Sequence, residues 1–284
     1  MVHWLKSLYV SLFILGSLAG LGFSFWRLKE EGPASPWLGT LIACSGPVLF
    51  FARVFLVSVA RTSRNLPTVL GAGLAGSVVS IALGGRVMAA PVLVAVSVGV
   101  LGVLLYVHWY SRFGAPASNV LRVGATLPEF RLTENGHVVA SADLLGRPAL
   151  WIFYRGNWCP LCVAQIRELA AQYRELARRG VEVFLVSPQP ERRTAALAEK
   201  VDAPMRFLTD VGNAAAAALG ILEKAGLPAG MQVLGYDSDV PRPTAFLTDA
   251  GGRVIHCDVS DNYRVRPEPS AFFEVLDRHA LTAD

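Results

Sequence analysis

The sequence predicts two joined parts: an α-helical membrane bundle of about four transmembrane helices, then an α/β domain with a central mixed sheet. Three observations carry this reading. Charge is divided unevenly, with 7 Lys/Arg and 2 acidic residues in residues 1–110 and the other 39 charged residues in 111–284. The first part holds four mostly apolar runs close to the about 20 residues that a spanning helix needs. The second part alternates apolar strand-like runs with segments of helical periodicity. Over all 284 residues only 17% are charged, against about 25% in an average soluble protein, which excludes an ordinary soluble chain. The expected domains are a transmembrane region at 1–110, a linker at 111–120 and an α/β domain at 121–284.

The first span is read at 4–26, closing on Phe23, Phe25 and Trp26. Its apolar run is longer than the roughly 7–15 residues of a signal peptide, so it is read as a retained span. The second is read at 37–60, with Arg53 snorkelling toward the nearer end. The third, 66–85, is rich in Gly, Ala and Val. The fourth, 87–109, ends in Tyr106, His108, Trp109 and Tyr110, an interfacial aromatic belt. Gly16 and Gly20 form a Gly-x-x-x-Gly pair that could pack helices closely, and Cys44 reads as a small apolar packer. With four spans, Lys6, Arg53, Arg61, Arg64, Arg112 and Arg122 share a side, and Arg27, Lys29 and Arg86 face them. That excess favours an integral protein of the plasma (inner) membrane with a cytoplasmic α/β domain. The net charge of +4 comes from these topology-setting residues, so it implies a lipid bilayer as partner and no nucleic acid.

In the second part, residues 149–154 form a continuous apolar run suited to a central strand. Residues 160–179 carry apolar side chains at helical spacing, and Gly180 follows as a helix stop. A strand is expected at 181–187, a helix at 190–201, a short strand at 205–209 and an alanine-rich helix at 211–221. A hairpin is expected over 244–259, turning at Asp249-Ala250-Gly251-Gly252, and a last amphipathic helix at 268–280. This order implies a mixed sheet with helices on both faces.

The chemistry sits where the first central strand meets its helix, at Trp158-Cys159-Pro160-Leu161-Cys162. Cysteines two residues apart at a helix start lie one turn apart and can close a small disulfide. The first meets unpaired N–H groups and the positive end of the helix dipole, which favour a thiolate over a free thiol of pKa about 8.5. The second can resolve an intermediate, and Pro160 suits a first turn because it has no N–H to lose. Zinc would need about four ligands, and the remaining candidates, His256 and Cys257, are adjacent in a strand and point to opposite faces. A purely structural bridge closes too short a loop to add much stability. Redox chemistry is therefore the favoured reading, with no bound cofactor and no metal. Cys257 reads as a packing residue, with a distant resolving thiol as the alternative.

The stretch Phe153–Cys162 resembles the active-site segment of peroxiredoxin-like proteins of the alkyl hydroperoxide reductase and thiol-specific antioxidant family, within the thioredoxin-like superfamily. Residues 123–130 resemble that family's opening strand. Residues 243–249 resemble the segment carrying the superfamily's cis-proline, which would be Pro243. Residues 261–269 resemble a tail motif of the peroxiredoxin-like branch. The resemblance covers about residues 120–280 and implies a thioredoxin-like fold. It implies a peroxidatic nucleophile at Cys159, a resolving thiol at Cys162 and a redox-active Cys159–Cys162 disulfide. Trp158 and Tyr154 would shape an apolar wall. The family places Thr or Ser three residues before the reactive cysteine to help hold peroxide, and here that residue is Gly156. It also supplies an arginine from a later strand. Arg242 is the nearest candidate and Arg155 could serve from the near side, the plain alternative for both being a solvated surface arginine.

Three functions follow as expectations. The first is a membrane-anchored thiol peroxidase acting on hydroperoxides, regenerated by thioredoxin or another dithiol reductant. The second is thiol-disulfide exchange on protein disulfides near the membrane, favoured by Gly156. The third is a non-enzymatic redox sensor coupled to the membrane helices.

Overall fold

The computed structural model describes residues 2–84, 86–116 and 119–278, with the backbone alone at residues 2 and 3. Two compact units divide the chain: Met1–Ser58 with Thr62–Arg112, and Val59–Arg61 with Phe113–Asp284.

The first unit is helical. Helix α1 spans Val2–Glu31 and α2 spans Trp37–Leu56. Helix α3 spans Pro67–Ala82. A fourth apolar helix runs Ala90–Tyr110, α-helical at Ala90–Val94 (α4) and Val103–Leu105 (α5) and π-helical at Ala95–Gly102 and Tyr106–Tyr110. Three of these, Trp4–Glu31, Trp37–Leu56 and Ala90–Tyr110, are long and apolar enough to cross a membrane. The third expected span falls short: α3 has 16 residues, about 24 Å at 1.5 Å per residue, against a hydrocarbon core of about 30 Å. Pro67 opens it, and it ends at Ala82 ahead of Gly84, whose φ is +91°. Residue 85, included in that expectation, lies outside the described residues. The second span is also shorter than expected. It stops at Leu56, leaving Arg53 exposed in its last turn.

Glycines set the close helix contacts, and of the pair singled out from sequence only Gly20 makes one. Gly16 faces open space, whereas a Cβ on Gly20 would lie 2.8 Å from Cys44 Sγ. The backbone contacts are made by Gly39 with Gly76 and Ser80, and by Gly73 with Gly99. There a Cβ would fall 2.2 Å from Ser80 N and 1.9 Å from Gly99 O, respectively. Small residues allow such approach between apolar helices.

The second unit is built on a seven-stranded mixed sheet of order β2-β1-β5-β4-β3-β8-β9. Its strands are β1 (Arg131–Glu134), β2 (His137–Ala140), β3 (Ala149–Phe153), β4 (Glu182–Ser187), β5 (Arg206–Thr209), β8 (Thr244–Thr248) and β9 (Val254–Val259). Strands β3, β4 and β5 are parallel, and β8 joins β3 antiparallel with Phe153 opposite Thr244. A separate pair, β6 (Leu222–Glu223) and β7 (Val240–Pro241), stands apart. Every residue of β3 is buried, as a central strand covered on both faces must be. One face carries Trp151, Phe153, Phe184, Val186, Leu208 and Phe246, in one core with Ala215, Ala216, Leu219 and Ile221. The opposite face meets α10 (Pro269–Arg278), with Phe272 edge-on to His256 at 6.0 Å. Its neighbour Cys257 packs on the first core, where burial pushes its thiol up to about 11. Expected residues 279 and 280 of this last helix lie outside the described residues.

Two expected helices are interrupted. The segment 160–179 divides into α6 (Pro160–Ala171) and α7 (Tyr173–Arg178) at Gln172. The helix expected over 211–221 is a 3-10 turn at Val211–Asn213 and a short α9 (Ala214–Ala218). Within that turn, directly before α9, Gly212 and Asn213 have φ of +65° and +58°. The buried carboxylate of Asp210 accepts from the N–H groups of Ala215 and Ala216 at 2.8 and 2.9 Å. The expected helix at 190–201 is shorter, α8 (Glu191–Ala198). The expected linker is not free chain either. Phe113 N–H donates to Asp261 O at 2.8 Å, and Gly114 O accepts from Arg242 Nη1 at 2.8 Å. Residues 117 and 118 of that linker lie outside the described residues.

Candidate active site

Strand β3 ends at Phe153 and the chain turns through Tyr154–Trp158 into α6. Cys159 occupies the N-cap in an extended conformation with Pro160 as the first helical residue, and its carbonyl accepts from the N–H groups of Cys162 and Val163 at 3.0 and 3.1 Å. The two thiols are not joined by a disulfide. Both are buried, 3% and 0% exposed, so the reduced site is shielded from water.

The group that faces the thiols is Arg266, from the loop after β9. Its Nη2 lies 3.3 Å from Cys162 Sγ and 3.7 Å from Cys159 Sγ. It is aimed by two further bonds, Nη1 to Gln165 Oε1 at 2.8 Å and Nε to Tyr263 O at 3.2 Å. Gln165 stands three residues beyond Cys162 on α6, so one helix carries both the thiol and the residue that orients its cation. The loop is itself fixed by the buried Asn262, whose Oδ1 accepts from Arg264 N–H at 3.1 Å.

The dithiol ionises as a pair. Burial opposes ionisation of both sulfurs. At Cys162 a hydrogen bond from Cys159, the Arg266 charge and the Arg155 backbone N–H outweigh burial and hold its thiol well below the usual range. At Cys159 burial and the neighbouring Cys162 add together, beyond what Arg266 and Arg155 return, and push the thiol well above it. One negative charge is therefore readily held between the sulfurs, and a second is not.

The other expected site residues are placed as follows. Arg155 is buried rather than solvated; its guanidinium donates to Gly226 O and lies 4.8 Å from the Trp158 ring and 5.3 Å from Tyr263. Its charge favours the Cys159 thiolate. Arg242 is also buried, but its partners lie elsewhere: Glu223 at 3.3 Å, Gly114 O, and the ring of Phe113 at 4.8 Å. Glu223 and the chain entry claim this guanidinium, so it is not the thiolate's arginine. The peptide before Pro243 is trans, as no cis peptide occurs among the described residues. The Pro243 carbonyl accepts from Ser260 N–H at 3.2 Å, and Arg242 N–H donates to Ile221 O at 2.7 Å, which hold this stretch beside its neighbours. Tyr154 does not line an apolar wall. It is fully buried and its hydroxyl accepts from Gln189 Nε2 at 3.1 Å. Gln189 in turn accepts from Asn157 N–H at 2.8 Å, and Asn157 Oδ1 accepts from Tyr236 Oη at 2.5 Å. These bonds fix the turn before Cys159.

Gly156 has φ of +140°, and a Cβ there would lie 2.7 Å from Trp158 Nε1. A side chain at 156 is excluded by both backbone and neighbour. Among the described residues no group of three or more His, Cys, Asp or Glu could hold a metal.

A dithiol at a helix start, one turn deep under a buried guanidinium and set on a mixed sheet, defines a cysteine-dependent redox enzyme. Residues 123–257 match the AhpC/TSA family. The chain is similar to Peroxiredoxin Bcp of Escherichia coli (strain K12), 26% identical over 163 residues, covering 57% of this chain and 99% of that protein. It is also similar to the chloroplastic Peroxiredoxin Q of Gentiana triflora, 29% identical over 91 residues, covering 32% and 42%. Among solved structures it resembles peroxidoxin BcpB from Mycobacterium tuberculosis, with 20% identity, TM-score 0.47, and 57% and 99% covered. It likewise resembles reduced Prx3 from Vibrio vulnificus in complex with hydrogen peroxide, with 20% identity, TM-score 0.49, and 56% and 98% covered. The protein is a peroxiredoxin-like thiol peroxidase whose chemistry is that of its cysteines.

Proposed function

We propose that this protein is a membrane-anchored hydroperoxide reductase that cycles Cys159 and Cys162 between dithiol and disulfide. The observation that carries the reading is the single guanidinium of Arg266 within 3.3 and 3.7 Å of the two sulfurs. It stabilises one anion shared by the pair, so a nucleophile is present while its partner keeps a proton.

Cys159 is the attacking thiol, because it caps the helix and is the more exposed of the two. At rest the anion is held on Cys162; passage of the Cys159 proton across their hydrogen bond puts the charge on Cys159, whose sulfur pair forms a bond to one peroxide oxygen, the O–O bond breaks, and the other oxygen leaves as alkoxide and takes a proton. Cys159 is then a sulfenic acid. Cys162 attacks that sulfur, forming the disulfide and releasing hydroxide, which solvent protonates. An external dithiol such as thioredoxin returns two electrons and two protons by exchange.

The anchor is the apolar helical unit. Three helices suffice in length, and α3 crosses with them if the bilayer thins or its flanks snorkel. Four crossings put the domain on the side with more Lys and Arg, the cytoplasm, of the plasma (inner) membrane.

The test is peroxide consumption by the full chain in detergent with thioredoxin, its reductase and NADPH, beside a Cys159→Ser control. Cys159-dependent NADPH loss is expected; peroxide loss in the control as fast as in the wild type refutes the assignment.

A second reading, exchange with protein disulfides, is favoured by Gly156, which brings no hydroxyl to the site. It predicts no peroxide turnover in the same assay together with reduction of a protein disulfide such as that of insulin.

A further inference from the structure

The turn that delivers Cys159 carries a polar hydrogen with nothing to bind. Trp158 Nε1 is buried and has no hydrogen-bond partner among the described residues. An unmet buried N–H costs about 1–3 kcal/mol, so its retention beside a nucleophile calls for an occupant. The indole is held on several sides. The Arg155 guanidinium lies 4.8 Å from its ring, and Tyr236 meets it edge-on at 6.5 Å. The backbone of Gly156 completes the seat, since Nε1 stands 2.7 Å from where a Cβ would be. The same turn is closed by Cys159 N–H donating to Gly156 O at 3.2 Å and by Gln189 accepting from Asn157 N–H at 2.8 Å. The N–H therefore belongs to the residue next to the reacting sulfur and is held in a turn where residue 156 has no side chain to compete for it.

We propose that the Trp158 indole N–H is the hydrogen-bond donor that receives the leaving oxygen of the hydroperoxide at Cys159. The inference rests on the peroxidase reading and adds the group that holds the substrate. As sulfur displaces oxygen, the O–O electron pair collects on the departing oxygen. A fixed donor stabilises that charge more than the neutral peroxide, which is the condition for accelerating the step. Arg266 is occupied by the thiols and Gln165, and Arg155 bonds Gly226. The indole is a donor that attack on peroxide does not first have to detach.

The test is Trp158→Phe, which keeps a ring and removes the N–H, in the full chain in detergent. Stopped-flow mixing with hydrogen peroxide gives the second-order rate of sulfenic acid formation, and absorbance at 240 nm gives the thiolate titration. The expected result is a rate lower by at least about tenfold, equivalent to 1.36 kcal/mol, with an unchanged titration. A wild-type rate in the variant, or a loss accompanied by an equally shifted titration, overturns the inference while leaving the peroxidase reading standing. No peroxide reaction in the wild type overturns both. A second measurement does not depend on the variant folding. In Cys159→Ser, which cannot turn peroxide over, the 15N–1H indole resonance of Trp158 should shift on adding hydrogen peroxide. An unmoved resonance overturns the proposal.

Discussion

Arg266 and Cys162 lie 104 residues apart in sequence, yet the guanidinium Nη2 and the thiol sulfur are 3.3 Å apart with both side chains buried. The contact makes the dithiol an anion holder. Replacing Arg266 by Gln removes the charge and leaves burial in command. The thiol titration should move up by at least about one unit, or 1.36 kcal/mol, and alkylation by iodoacetamide at neutral pH should slow about tenfold. Because the pair ionises below the ordinary thiol range, wild-type alkylation should persist at acidic pH and fall only as pH drops through that lowered value. Superimposable pH profiles for the two proteins would exclude this role.

The two cysteines should fail differently. Cys159→Ser should abolish peroxide turnover. Cys162→Ser should permit one attack and stop at a sulfenic acid on Cys159, seen by mass spectrometry as a dimedone adduct. Sustained turnover in Cys162→Ser would move the resolving role to another thiol.

Arg242 offers a contrast with Arg266. It is buried against Glu223, and removing one partner of a buried pair costs about 3–5 kcal/mol. Arg242→Ala should therefore lower the urea midpoint sharply while leaving the 240 nm titration where it was. A shifted titration in a folded variant would return Arg242 to the thiols.

Gly156→Ala tests the backbone of the turn. With φ at +140° and a Cβ 2.7 Å from the indole nitrogen, the substitution should destabilise the domain by about 1–3 kcal/mol, read from chemical denaturation. A neutral result would mean that the turn adjusts freely.

Topology is open to a direct measurement. Alkaline phosphatase fused after Asp284 should be inactive, and a fluorescent protein fused there should glow, if the domain is cytoplasmic. The reverse pattern would mean three crossings and an outward domain.

The parts of this structure legible in the sequence share one property: their signals are local. The apolar run at 149–154 and the periodicity of 160–171 locate β3 and α6, and the Cys-x-x-Cys pair marks their junction. Strands β1 and β2 are four residues each, too short for alternation to stand out. The break at Gly212 and Asn213 depends on left-handed backbone that alanine-rich composition conceals. Arg266 sat within a recognised tail stretch, but no spacing rule says that a loop after β9 folds back onto a helix a hundred residues earlier. Arg242, nearer the expected strand position, drew the assignment instead. The packing glycines show the same limit: Gly73 and Gly99 meet only because two helices cross there.

The burial of the dithiol and its arginine has a kinetic consequence. With Cys159 3% exposed and Cys162 0% exposed, oxidant reaches sulfur freely only when the side chains packed over the turn, its cover, move aside. Raising the peroxide concentration should then speed the reaction only up to a plateau, fixed by how often that cover opens. Two proteins with identical thiol chemistry but differently fastened covers would clear oxidant at different top speeds. The bonds from Tyr236 to Asn157 and from Arg155 to Gly226 fasten the turn to its neighbours, so loosening either should raise that ceiling.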